Sequence, residues 1–260
     1  MPPPCIFCNN ESGSEEHLWP AWMHRVARFA PISIQEGSGS VIYGEDPEQK
    51  INTVCHTCNN TWMSQLEEKN VSRLKPMLFS QPVTLDAGGI RLLTEWTVKT
   101  AMVSDSIKPR NDNENFFTRP ERVAMREHRT IPERTRVWVG ALQNSDPKLL
   151  HIGCHGMDYT IMIDGGKTRA GTGSVSTIYT GHFVVQTVTE HTHTPAAADA
   201  RDYITPPRGV SDERLVEIYP GKPKSVNWPP TPFTEWGPTS ILFLMERWRM
   251  GEQVSKIKNA

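Results

Sequence analysis

Two cysteine pairs, Cys5-Ile6-Phe7-Cys8 and Cys55-His56-Thr57-Cys58, enclose the dipeptide Glu16-His17, and the second pair runs directly into Asn59-Asn60. Thiolates at C-x2-C spacing grip one edge of a tetrahedral Zn2+, and a second pair completes the four-sulfur shell that structural zinc sites favour. A redox dithiol uses the same spacing and stands as the alternative. Glu16-His17 adds a carboxylate, which can hold a hard divalent ion, and an imidazole, which titrates near neutral pH and can take a proton from water. A surface dipeptide on a zinc module is the plainer reading of the same two residues.

The elements that would position these groups can be read in outline. Pro20 to Phe29 can form a helix with Trp22, Val26 and Phe29 on one side. Gly37 to Ser40 marks a turn, Val41 to Tyr43 a short strand, Gly44 to Gln49 an acidic loop, and Ile51 to Val54 the strand that feeds the second pair. From Asn59 onward, Trp62, Leu66 and Leu74 follow a helical period toward Pro76. The expected layout is a hairpin followed by a helix, with zinc at the base. Asn59-Asn60 can equally serve as an N-cap for that helix, because Asn accepts its unpaired N–H groups.

Beyond Pro82 the pattern changes. Ile90 to Ile107 predicts a helix burying Leu93, Trp96, Val98, Ala101 and Met102, and a polar loop, Lys108 to Asn115, separates it from a helix over Arg119 to Arg129. Strands are expected at Val137 to Leu142, Leu149 to Cys154, Tyr159 to Ile163, Val175 to Thr180 and His182 to Thr189, forming an antiparallel sheet. Pro206 to Pro238 reads as a surface wrap and Ser240 to Met250 as a last helix, while His191-Thr192-His193 could bind a metal but reads more simply as an exposed loop. The fold class is therefore α+β: a zinc-stapled ββα module over residues 1 to 80, then an α+β domain over residues 81 to 260 for substrate delivery, sensing or partner binding.

Composition narrows the setting. The 260 residues carry 28 basic and 29 acidic side chains, a formal net charge of -1, so no whole-protein basic field exists and any nucleic-acid contact must come from a local patch. Four of the five cysteines lie in the two pairs, a metal pattern of a reducing compartment rather than a disulfide framework. No apolar run approaches membrane-spanning length and the start lacks a signal peptide's apolar core, so a soluble cytoplasmic protein is expected.

The order C-x2-C, then Glu16-His17-Leu18-Trp19-Pro20, then C-x2-C-N at Cys55 to Asn59 resembles the zinc-stapled branch of the HNH nucleases, the His-Me finger or ββα-metal group. The resemblance covers about the first third of the chain, and the combined motif is more specific than either half. It implies that His17 is the general base of a phosphodiester hydrolase. Glu16, where the family usually has Asp, is implied as a ligand of a catalytic Mg2+ or Mn2+, with Asn59 (and its neighbour Asn60) as the last ligand position and Asn52 as the middle Asn. Cys5, Cys8, Cys55 and Cys58 are then the structural zinc shell. The implied substrate is nucleic acid, DNA ahead of RNA. A non-catalytic, zinc-stapled nucleic-acid-binding or interaction module, with His17 structural, is the reading from another class.

Arg119, Arg122, Arg126 and Arg129 recur at i, i+3, i+7, i+10 and would fall on one helical stripe. Like charges so aligned repel unless an anion lies across them, and a phosphate backbone is one such anion. A solvated face tempered by Glu121, Glu127 and Glu133 is the alternative. Trp19, Trp22 and Trp62 can stack on bases but are more simply core, and Glu67 and Glu68 read as the solvated side of their helix. The larger domain leaves room for a regulatory partner or a second copy of the chain.

Overall fold

A computed structural model describes residues 2–26, 32–36, 40–44, 50–107, 116–143, 150–163, 166–192, 214–221 and 223–231. The architecture is α+β. Near the N-terminus, a tight loop closed by Cys5 N–H to Asn10 O (2.8 Å) and Ser12 N–H to Pro3 O (3.0 Å) carries the first Cys pair. The chain then enters β1 (Ser14–His17) through Gly13, whose φ of +126° requires a residue without Cβ. A short helix, α1 (Ala21–Val26), follows, and then β2 (Ile32–Glu36), β3 (Ser40–Gly44) and β4 (Lys50–Val54).

Strands β1 and β4 form an antiparallel ribbon, with Glu16 opposite Ile51 and His17 opposite Lys50. The register slips between Ser14, which faces Val54, and Glu16, so β4 holds one extra residue there. A helical run follows directly: α2 (His56–Cys58), a π-helical turn at Asn59–Met63, and α3 (Ser64–Leu78). A two-stranded ribbon followed by a helix is therefore present, but not with the strands expected: Ile51 to Val54 pairs with Ser14–His17, where the sequence suggested no strand, and the expected strand Val41 to Tyr43 pairs with β2 instead. The helix cap is different too: the Cys55 Sγ accepts from the Cys58 N–H, and Asn59 lies inside the run with helical φ and ψ. Asn59-Asn60 is not the N-cap.

After β5 (Val83–Asp86), Asp86 caps α4 (Ala87–Ser104) by accepting the Gly89 N–H at 2.7 Å. Almost every position of α4 from Gly89 on is buried, so it runs through the middle of the molecule. Thr118 and Glu121 form a reciprocal capping box at the start of α5 (Arg119–His128). Next come β6 (Thr135–Ala141), β7 (Leu150–Ile163), β8 (Gly166–Thr180) and β9 (Phe183–Thr192). Where the sequence suggested two strands, Leu149 to Cys154 and Tyr159 to Ile163, one 14-residue strand is found, held straight through by β8. The expected Pro-rich wrap contains two strands, β10 (Leu215–Tyr219) and β11 (Ser225–Trp228). The expected loop 108–115 and the final helix at Ser240 to Met250 lie outside the described residues.

The large sheet has the order β10-β6-β9-β8-β7-β2-β3, antiparallel except where β2 runs parallel to β7. Strand β11 pairs with β5 in a separate ribbon. The hairpin β2–β3 thus leaves the first 80 residues to complete the sheet of the rest. One apolar core joins Phe7, Trp19, Met23, Trp62 and Met63 to Leu93, Trp96, Phe117, Phe183 and Trp228. Trp19 and Trp62 belong to that core, Trp62 meeting Phe7 edge-on with ring centres 5.0 Å apart. Among the described residues no helix is long and apolar enough to cross a membrane.

Candidate functional site

The four cysteines meet as their spacing predicts. The Sγ atoms of Cys5, Cys8, Cys55 and Cys58 all lie within 4.8 Å of one another and all four residues are buried. Zn–S bonds of about 2.3 Å set tetrahedrally put sulfurs roughly 3.8 Å apart. The separations of 3.5 Å for Cys8–Cys55 and 3.7 Å for Cys58–Cys8 fit that cage. Backbone N–H groups of Phe7 and Cys58 point at the Cys5 and Cys55 sulfurs, both at 3.4 Å, and the Asn10 amide reaches Cys55 Sγ at 3.8 Å. Such contacts favour thiolates and orient them. The protons are divided unevenly: a hydrogen bond from Cys58 pulls the Cys5 thiol down to about 5, while that same contact and then burial push Cys58 up. A divalent cation resolves the crowding by taking all four as thiolates. These four residues can hold a metal ion such as zinc.

A guanidinium from α5 locks the first Cys loop. Arg119 donates to Cys5 O (3.2 Å), Cys8 O (2.8 Å) and Asn9 Oδ1 (2.9 Å). Two further members of the expected stripe, Arg122 and Arg129, also have internal partners. Arg122 is buried and donates to Asp105 Oδ2 at 2.6 Å, with Asp105 also accepting the Phe116 and Phe117 N–H groups. Arg129 lies over the Trp62 ring, 4.5 Å from its centre, and donates to the Met125 carbonyl. Arg126 is one-third exposed beside Glu127. The expected four-arginine track is therefore corrected: Arg119, Arg122 and Arg129 are spent on the first Cys loop, Asp105 and Trp62, and only Arg126 keeps an exposed partner. His191 is corrected too, lying in the last residues of β9 with Nε2 at 2.9 Å from Glu121 Oε1; His193 lies outside the described residues.

On the ribbon, strand alternation separates the two residues that the sequence read as a unit. Ser14 and Glu16 are buried, Glu15 is exposed and His17 half-buried, so Glu16 and His17 point to opposite faces. Glu16 meets Lys99 of α4, whose Nζ is 3.6 Å from Glu16 Oε1 and 2.8 Å from Glu67 Oε1. The Lys99 and Glu16 side chains are 2% and 5% exposed. Burial pulls the Lys99 ammonium down, and Glu67 and Glu16 more than offset it, leaving it above its ordinary value. Glu67 is the closer partner, so for Glu16 burial wins over the pull of Lys99 and raises the carboxyl to about 7. The expected metal ligand Glu16 therefore already faces a cation that the fold itself supplies. Glu67 is likewise not on a solvated face.

Lys99 escaped the sequence reading, yet it left a signal: an ammonium amid Trp96, Val98, Ala101 and Met102 has no solvated side to occupy. On the outer face, His17 stands opposite Lys50, and exposed Asn52 lies two residues further along β4. Glu15 joins them and is bound by the Lys50 Nζ at 2.7 Å. Lys50, and more weakly His17, hold the Glu15 carboxyl below its ordinary value. The His17 and His24 rings are 6.4 Å apart. Asn59 spends its amide nitrogen on Ser14 Oγ (2.8 Å) and Glu15 O (3.5 Å), leaving its oxygen as the atom a cation would take, and Asn60 is exposed on the same turn. The structure thus brings His17 and Asn52 to one face, ties Asn59 to β1, and sends Glu16 inward. No family model, curated protein or solved structure matches the chain.

Proposed function

We propose that this chain is a metal-dependent endonuclease of the HNH type, hydrolysing phosphodiester bonds, in DNA ahead of RNA, with His17 as general base. The observation that carries the reading is the placement of His17: it ends the first strand of a β-β-helix unit whose base is closed by four buried cysteines, and its ring lies on the exposed face of the ribbon beside Asn52. A neutral imidazole there accepts a proton from water, the resulting hydroxide attacks phosphorus, and the P–O bond to the leaving oxygen breaks, that oxygen regaining a proton from solvent. A bound Mg2+ or Mn2+ supplies charge neutralisation at the phosphate. Structural zinc in the Cys5, Cys8, Cys55 and Cys58 cage keeps the ribbon and helix in register.

Supercoiled plasmid incubated with Mg2+ or Mn2+ tests this. Wild type should nick or cut it, and His17→Ala should lower the rate by about two to four orders of magnitude with zinc content and melting temperature unchanged. Equal rates in the two proteins would refute the role of His17. The internal ion pairing of Glu16 and the inward arginines favour the second reading, a non-catalytic zinc-stapled interaction module, which predicts no cleavage by either protein.

A further inference from the structure

The carboxylate next to His17 in sequence and the carboxylate next to it in space are different residues. Glu16 lies behind the ribbon, 5% exposed, against a Lys99 that is itself 2% exposed. Displacing that ammonium would strand the buried Glu16 and the half-buried Glu67 without a counter-charge, which proteins avoid. Glu15 lies in front. It shares the outer face with His17, it is 65% exposed, and its partner Lys50 is 40% exposed, so water already screens the pair and a competing cation can part it. The β4 bulge places two residues, Asn52 and Thr53, across from Glu15. Thr53 turns inward to the Ser106 hydroxyl at 2.9 Å, which leaves Asn52 on the outer side with Glu15 and His17. Asn59 holds the Glu15 carbonyl from below. A carboxylate, an imidazole and an amide therefore face solvent together, with an ammonium on the carboxylate where a hard cation would sit.

We infer that Glu15, not Glu16, is the carboxylate that binds the divalent cation of this site, Lys50 giving way to it, while Glu16 anchors the back of the ribbon through Lys99. This inference rests on the nuclease reading for its biological use but is a statement about cation binding, and it is tested as such. Full-length, zinc-loaded protein is titrated with Mn2+, and paramagnetic broadening of the His17 ring protons is followed by NMR in wild type, Glu15→Gln, Glu15→Asp and Glu16→Gln. The expected result is selective broadening of His17 in wild type. Glu15→Gln should raise the Mn2+ needed for half-maximal broadening at least about tenfold, and Glu15→Asp should recover most of the loss. Glu16→Gln should leave the titration in place.

Two results overturn the inference: wild-type and Glu15→Gln titrations that superimpose, including the case where neither protein shows broadening, or a Glu16→Gln shift at unchanged melting temperature. Should Glu16→Gln fail to fold, the two Glu15 variants decide the matter alone. Plasmid cleavage in the same samples separates the two levels. Mn2+ bound through Glu15 without any cleavage by wild type removes the nuclease reading and keeps the cation site, whereas His17-dependent cleavage that Glu15→Gln leaves untouched does the reverse.

Discussion

Replacing Glu16 with Gln keeps the shape of the side chain and removes its titration, so it isolates what the buried carboxyl does to stability. In the folded protein this carboxyl is raised from 4.5 to about 7 because burial outweighs Lys99. A raised value means the folded state holds the proton more tightly than the unfolded chain, and the associated stability is fully present below about 4.5 and is lost as pH climbs through about 7. At about 1.4 kcal/mol per pH unit, that displacement amounts to roughly 3 kcal/mol across the window from pH 5 to pH 8. The side chain is nearly free of solvent, so little is lost to screening. Lys99 titrates far above this window and stays charged throughout. Urea unfolding of both proteins at half-unit pH steps, with zinc held saturating, supplies the measurement. Acid release of zinc imposes an opposite slope on both, which the difference between them cancels. The wild type should lose about 3 kcal/mol relative to the variant as pH rises from 5 to 8. Parallel curves would show that Glu16 is ionised throughout and that Lys99 fully compensates it.

The four-thiolate cage should retain about one zinc per chain by elemental analysis, and Cys8→Ser or Cys55→Ser should lose the metal and unfold the β1–β4 unit, seen as a lower melting temperature. Arg119→Ala, which removes three hydrogen bonds from the first Cys loop, should speed zinc release to a chromophoric chelator by about ten- to hundredfold while leaving one zinc bound at rest. Arg122→Ala should cost about 3–5 kcal/mol in chemical denaturation, because Asp105 is left buried without its ion-pair partner; a stable variant with weakened, less salt-dependent duplex binding would restore the phosphate track.

What the sequence made legible is what depends on short spacing. Cys-x2-Cys is a local geometric statement, and the apolar period of α4 identifies a helix wherever its partners lie. Glu16-His17 failed as a unit because adjacency along a strand means opposite faces, and nothing in the sequence announced that Ser14 to His17 is a strand. The arginines of α5 were correctly placed on a helix, yet their partners, the Cys5 and Cys8 carbonyls, Asp105 and Trp62, come from three other segments. Strands β10 and β11 were hidden for the same reason. Pro and Gly nearby signal turns, and only pairing with β6 and β5 turns the residues between them into strands.

The hairpin β2–β3 sets a schedule for the growing polypeptide. The four paired cysteines all precede residue 60, so the metal cage can close while most of the protein has yet to be made. Strand β2 cannot be satisfied then, because its neighbour on one side is β7, entered at Leu150. At about 5–20 residues per second, Ser33 waits on the order of ten seconds for His151 to leave the ribosome. During that interval a finished metal knuckle carries an unpaired strand edge, a template for neighbouring chains. An isolated fragment of residues 1–80 makes that interval permanent: it keeps the four cage thiolates and the imidazole but loses the strand that covers its edge, and it should self-associate.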